Sequence, residues 1–151
     1  MHKETPMFKH ILLPTDGSEV SLRGVKLGIE LARSCGARVY ALHVIPPFHT
    51  FTYVAEMLAA TEATYMSGAV ERAETYLAEV RSLAEKAGVP YDGGHVVSDM
   101  AGDWIVQEAQ RLHCDLIVMA SHGWRGITKL LLGSETQRVL QTSAVPVLVC
   151  R

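Results

Sequence analysis

The side chains of this chain that suit anions and polyols fall in two short stretches. The first, Pro14-Thr15-Asp16-Gly17-Ser18, offers a carboxylate, two hydroxyls and a glycine turn. The second begins Ser121-His122-Gly123-Trp124-Arg125-Gly126, continues through 127–132, and ends at Gly133-Ser134 ahead of Glu135, Thr136 and Gln137. A glycine lets the backbone approach a ligand closely, and a helix N-terminus presents unpaired amides and the positive end of its dipole. Gly133-Ser134 is therefore a candidate phosphate seat, with Arg125 and Lys129 as added positive charge. A plainer role competes for it: Ser134 and Gln137 spell an S-x-x-Q capping box, which needs no ligand. The two roles are compatible, because a capped terminus retains amides for an anion. Glu135 in the first turn opposes an anion unless its side chain turns to solvent. His122 invites an acid–base role, but a loop histidine with no Asp or nucleophile beside it more often simply hydrogen-bonds. The seven histidines show no HExxH or other metal-ligand spacing.

The elements that must hold these stretches read clearly. Residues 8–14 are an apolar run ending at proline, a buried strand entering a turn. Leu22, Val25, Ile29 and Ala32 follow at helical spacing, with Gly36 placed to end the helix and Asp16 or Ser18 to cap its start. Residues 38–45 form a second strand, stopped by Pro46-Pro47, in which His43 reads as a structural histidine. Ala73, Leu77, Val80, Leu83 or Ala84, and Ala87 predict a helix over 71–87, closed by Gly88. Residues 91–98 are a weaker strand, interrupted by Gly93-Gly94. A helix over 101–113 follows, carried by Ile105, Ala109 and Leu112 with Trp104 as a packing residue. The unbroken apolar run 115–120 suits a central parallel strand covered on both faces. A short helix over 134–142 and a last strand over 145–150 complete the chain.

Strands alternating with helices in this way predict an α/β fold built on a parallel sheet with right-handed crossovers. In such a sheet ligands bind beyond the carboxyl ends of the strands, where strand order reverses. That rule selects the segments leaving the first and fourth strands, the same two stretches. Residues 46–68 are the irregular part. Phe48, Phe51, Tyr53, Met57, Tyr65 and Met66 make it too apolar for a free linker. A lid, a partner-facing surface and an N-terminal extension of the following helix all fit that composition.

Composition narrows the class. At 151 residues, 48% apolar and 20% charged, the chain is expected to form one domain over 1–151 with an ordinary core. Lys+Arg 14 against Asp+Glu 16 lacks the footprint of a general nucleic-acid binder. No apolar run approaches the ~20 residues of a membrane span, and residues 1–9 hold no signal-peptide core. Cys35, Cys114 and Cys150 are an odd, widely spaced set, unlike a disulfide framework or a zinc site. Cys150 reads as buried packing. The expected location is cytoplasmic.

The order of segments resembles the universal stress protein family over essentially the whole chain. The resemblance rests on ILLPTDGS at 11–18, ALHVI at 41–45, DLIVMASHG at 115–123, LLLGSETQRVL at 130–140 and PVLV at 146–149. Nucleotide-binding members carry a glycine, two residues, a glycine, nine residues, then a glycine and a small hydroxyl residue. Gly123, the nine residues 124–132 and Gly133-Ser134 match it, with Ala120 where the first glycine belongs. The resemblance implies an open five-stranded parallel sheet of order 3-2-1-4-5 with helices on both faces, of the adenine nucleotide alpha hydrolase-like kind. It implies ATP or another adenine nucleotide as ligand, with Mg2+ left open. Pro14, Thr15 and Asp16 would lie near the adenosine, and the Val44 backbone would read the adenine edge. Ala120 and Gly123 would lie near the ribose and phosphates, with His122 and Arg125 in the same loop. Gly133, Ser134 and Glu135 would hold the phosphate chain.

Two departures stand out. Ala120 adds a methyl group: strained if the backbone needs positive φ there, and otherwise a cost to affinity alone. Ser98 replaces a glycine frequent in binding members. The resemblance also implies a homodimer through the last strand. Val145, Val147 and Val149 share one face there and Leu148 and Cys150 the other, so an edge strand would need cover, which a second copy supplies symmetrically. The expected action is stress signalling by ligand occupancy, toward a protein partner the sequence does not name. Without a P-loop or a dedicated base, ATP hydrolysis would be slow at most. Two alternatives remain, an interaction-only dimer with a vestigial cleft and a true nucleotide-processing enzyme.

Overall fold

The computed structural model describes residues 4–48, 55–124 and 131–151, and for 55–60 the helical backbone alone. Five strands, β1 (His10–Pro14), β2 (Arg38–Ile45), β3 (Tyr91–Val97), β4 (Leu116–Ala120) and β5 (Val147–Cys150), form one sheet of order β3-β2-β1-β4-β5. Every neighbouring pair is parallel. Four helices connect them: α1 (Glu19–Cys35), α2 (Ala55–Lys86), α3 (Ala101–Arg111) and α4 (Ser134–Thr142). This is the expected open sheet, with its reversal between β1 and β4.

Both faces of the central strands are buried, which is why they read as unbroken apolar runs. Ile11, Leu13, Val39, Ala41, Leu116 and Val118 pack with Val25, Ile29 and Ala32 of α1 and Val80 and Ala84 of α2. The alternate residues Leu12, Tyr40, Leu42, Ile117 and Met119 pack with Ile105, Val106 and Ala109 of α3 and Val139 of α4. Strand periodicity thus distributes one run between two cores, with α1 and α2 on one face and α3 and α4 on the other.

The punctuation of α1 settles which residue caps it. Ser18 is the N-cap, its side chain accepting from the Ser21 amide at 3.1 Å. Gly36 ends the helix in the left-handed conformation at φ 68°. Asp16 is thereby left for another task.

Helix α2 begins at Ala55, well before the expected residue 71. Met66, Ala69 and Ala73 continue the three-four spacing of Leu77, Val80 and Ala84. Tyr65, Met66 and Val70 pack around Ile45, Ala69 and Ala73 at the end of β2. The Tyr65 hydroxyl donates to the Pro46 carbonyl at 2.7 Å, and its ring lies 5.3 Å from that of Phe48. Phe51 and Tyr53 lie outside the described residues.

The glycines of β3 have a steric reason. A Cβ at Gly94 would come 2.7 Å from the Tyr40 hydroxyl, and one at Gly93 would meet the Tyr91 hydroxyl. The pair that weakens the strand signal makes room for two tyrosines. Strand β5 starts at Val147, not 145, because the Ser143 hydroxyl ties up the backbone of Val145. It is an edge strand, and Leu148 is 38% exposed. Cys150 is only partly buried, a correction to its reading as a core residue, since β5 has a neighbour on one side only. Among the described residues no helix is long and apolar enough to cross a membrane.

Candidate functional site

Strand β1 leads into a helix on one face and β4 into a helix on the other, so a cleft opens between their carboxyl ends. Its volume is about 150 Å3. Pro14, Thr15, Asp16, Val44, Ala120, His122, Gly123 and Glu135 line it, all of them candidates from the sequence. Leu42, Ile105, Met119, Ala101, Ser21 and Thr136 line it as well. Of these, the sequence points only to Thr136, as part of the stretch that opens the last helix. Leu42, Ile105 and Met119 read as strand and helix core, and Ala101 and Ser21 carry no signal of a site. Gly133 and Ser134 immediately precede the lining residue Glu135 without lining the cleft themselves. Arg125 lies outside the described residues, as does Lys129.

The β1–α1 turn is held from three directions. The Thr15 amide donates to the Leu42 carbonyl at 2.9 Å, and the Thr15 hydroxyl accepts from the Gly17 amide at 3.2 Å. His43 Nδ1 lies 2.7 Å from the Thr15 carbonyl, so that nitrogen carries the hydrogen. The His43 ring meets Tyr76 edge-on at 5.3 Å. Tyr76 in turn lies where a Cβ on Gly17 would be, and Gly17 has φ 79°. Burial pulls the His43 pKa below the ordinary imidazole value, against the opposing effects of the Thr15 carbonyl and the Asp16 charge. The ring is accordingly neutral at pH 7.

Asp16 is bonded at both carboxylate oxygens and at its carbonyl. One carboxylate oxygen accepts from the Ser18 amide at 2.9 Å and the other from the Trp124 amide at 3.1 Å. The Trp124 indole donates to the Asp16 carbonyl at 2.7 Å. This contact explains Gly123: a Cβ there would overlap the second carboxylate oxygen.

The β4–α4 side differs from expectation in two respects. No capping box forms. Gly133 is the N-cap and Ser134 the first helical residue, while the Gln137 side chain donates to the Leu132 carbonyl at 2.9 Å. The helix keeps its expected bounds, 134–142, and its cap is Gly133, whose amide is anchored on the Ser121 carbonyl at 2.7 Å. A Cβ at Gly133 would lie 3.2 Å from His122 Cα, so glycine serves close approach there, at an ordinary φ of −61°. The second difference is Glu135, whose carboxylate is exposed but not free. It accepts from the Gly102 amide at the start of α3, where Met100 supplies no side-chain cap. A carboxylate on unpaired first-turn amides is favourable by charge and by hydrogen bonding.

Ala120 closes β4 in extended conformation. Among the described residues His113 is the only non-glycine with positive φ, so the alanine adds bulk without backbone strain. Its carbonyl accepts from the Thr136 hydroxyl at 2.9 Å. His122 Nδ1 lies 3.0 Å from the hydroxyl of buried Ser121. The described residues hold no group of three or more His, Cys, Asp or Glu side chains arranged for a metal.

A parallel α/β sheet with its cleft at the β1–β4 reversal, an acidic residue on one lip and a glycine-opened helix start on the other defines a nucleotide-fold protein in the structural sense. The family model of the universal stress protein family matches residues 7–151. The chain belongs to that family. Universal stress protein MJ0531 of Methanocaldococcus jannaschii is 31% identical over 153 residues, covering 96% of this chain and 83% of the relative. The solved structure of MJ0577 superposes with a TM-score of 0.80 at 29% identity, covering 95% of this chain and 96% of the other. A universal stress protein from Archaeoglobus fulgidus, solved in complex with dAMP, has TM-score 0.69 at 20% identity, covering 97% and 99%. At that identity the likeness speaks for the fold.

Proposed function

We propose that this protein binds an adenine nucleotide, ATP among them, in the β1–β4 cleft and acts as a stress-response module through occupancy of that site. The observation that carries the reading is the pairing of two unlike surfaces in one cleft. Leu42, Val44, Ile105 and Met119 supply an apolar wall suited to a flat base, while Asp16 supplies an acceptor for hydroxyls. Beside them α4 begins, and the amides of Ser134, Glu135 and Thr136 belong to the turn that no intrahelical carbonyl reaches. Gly133, with no side chain, leaves that turn open to phosphates. The relative that holds dAMP supports the ligand class.

In this reading the protein works in the cytoplasm as a homodimer through β5, whose exposed Leu148 and half-buried Val149 and Cys150 need a partner. Hydrolysis is slow at most: His122 faces the Ser121 hydroxyl and, among the described residues, no carboxylate is bonded to it to make a general base. Calorimetric titration with ATP, with and without Mg2+, tests the reading directly. Absence of saturable binding at millimolar ATP removes it.

A second reading, an interaction-only dimer with a vestigial cleft, is favoured by Ala120 in the cleft lining and by Glu135, already spent on the Gly102 amide. It expects Ala120→Gly to create nucleotide binding that the natural protein lacks. The first reading expects binding in both, stronger in the glycine variant.

A further inference from the structure

We propose that Trp124 is the protein's own competitor for Asp16, an internal contact that a nucleotide hydroxyl displaces from the carboxylate. The inference rests on the nucleotide-binding reading of the cleft. An ionised carboxylate only accepts hydrogen bonds. Here one Asp16 oxygen is taken by the Ser18 amide and the other by the Trp124 amide at 3.1 Å. The Trp124 indole reinforces the second bond by donating to the Asp16 carbonyl at 2.7 Å. The Gly123–Trp124 step is fitted to this pairing, since any side chain at Gly123 would meet the Asp16 carboxylate. Yet Trp124 is 68% exposed. Hydrogen bonds hold the indole at Asp16 with little apolar burial, so release forfeits little besides those bonds. A ligand hydroxyl directed at the same carboxylate oxygen replaces the Trp124 amide. The apparent affinity is then the intrinsic affinity scaled by the fraction of molecules already released.

Trp124→Phe keeps an aromatic ring and the main-chain amide but removes the indole donor. One exposed neutral hydrogen bond corresponds to about a threefold change in the release equilibrium. Adenosine and ATP, titrated by calorimetry into the natural protein and Trp124→Phe, are therefore expected to bind the variant about threefold tighter. The gain is the same for both ligands, because the competition concerns Asp16 and not the phosphates. In a Trp104→Phe background, where Trp124 is the remaining tryptophan, its fluorescence emission is expected to shift on saturation with adenosine. Equal or weaker binding by Trp124→Phe, or an emission spectrum unmoved by saturating adenosine, overturns the proposal and leaves the nucleotide site standing. Absence of saturable binding of either ligand by either protein removes the nucleotide reading, and this inference with it.

Discussion

Gly123→Ala puts the geometry of the cleft to a quantitative test. Gly123 is not among the described residues with positive φ, so its backbone accepts alanine without strain. The added Cβ overlaps an Asp16 carboxylate oxygen and lies 3.3 Å from the Asp16 Cγ. The obstructing atom is the end of a rotatable side chain, so the carboxylate swings by roughly an ångström to restore van der Waals contact while the fold stays as it is. That movement breaks the bond from the Trp124 amide. A charge-assisted hydrogen bond is worth about 1.5–3 kcal/mol when dry, and solvent at this cleft mouth reduces it to about 1 kcal/mol. For a chain of this size the melting temperature should fall by about 2–4 °C. Ligand binding should suffer far more, because the methyl group stands where the carboxylate would meet a hydroxyl. Loss of that bond predicts about 10- to 100-fold weaker ATP binding. Thermal denaturation followed by circular dichroism gives the first number and calorimetric titration the second. A melting temperature more than about 10 °C lower would mean that Gly123 serves the backbone and not Asp16. Unchanged ATP affinity would mean that Asp16 is no binding group.

Other substitutions and conditions have equally definite outcomes. His10 and His43 both have pKa values lowered by burial. The unfolded chain therefore takes up their protons first as pH falls below about 6.5, and their contribution, full above that value, is lost toward acid. Urea midpoints should drop between pH 7 and pH 5, less steeply when both residues are glutamine; an unchanged slope would assign the protons elsewhere. Burial pushes the Cys114 thiol up to about 12, so iodoacetamide at pH 8 should label the partly exposed Cys35 and Cys150 long before Cys114. Mass spectrometry showing comparable labelling of the folded protein at Cys114 would contradict its burial. Gly28→Ala places a Cβ against Leu13 Cδ2 and 3.4 Å from Val118 Cβ, where neither neighbour is exposed. Overpacking of that kind should cost about 1–3 kcal/mol, read as a lower urea midpoint at unchanged slope.

The sheet was legible because its central strands are buried on both faces. Unbroken runs such as 116–120 cannot be amphipathic, and Pro14, Gly36, Pro46 and Gly88 punctuate the elements sharply. The less legible parts each involve a neighbour distant in sequence. Within α2, residues 65–73 pack on Ile45 at the end of β2, a contact that the sequence of 46–68 does not announce. The Gly93-Gly94 interruption looks like a broken strand until Tyr40 is laid across it from β2. The early end of burial at Cys150 follows from the one-sided pairing of β5, a property of sheet order and not of the local run.

The glycines of the site show why its residues were easier to find than their roles. The pattern of glycines at 123 and 133 invites one explanation, close approach of a ligand. In the folded chain each has a separate internal partner as well: Gly123 makes room for the Asp16 carboxylate, and Gly133 lets α4 start against His122 and the Ser121 carbonyl. Neither uses positive φ. The motif is thus part of how the cleft is assembled, and a chain that had given up its ligand would still be under physical pressure to keep both glycines. Ala120 stands in a different position. It occurs where the pattern has a glycine, it lines the cleft, and its backbone is ordinary strand, so no folding requirement is met by a bare α-carbon there. Ligand affinity is the property that a methyl group at this position changes most directly. Ala120→Gly therefore separates the two readings more sharply than any substitution at Gly123 or Gly133, where effects on folding and on binding arrive together. A variant that melts within about 3 °C of the natural protein yet binds ATP at least tenfold tighter would identify residue 120 as the one that sets affinity. Equal affinity would mean that the first glycine of the pattern has no part in holding the ligand.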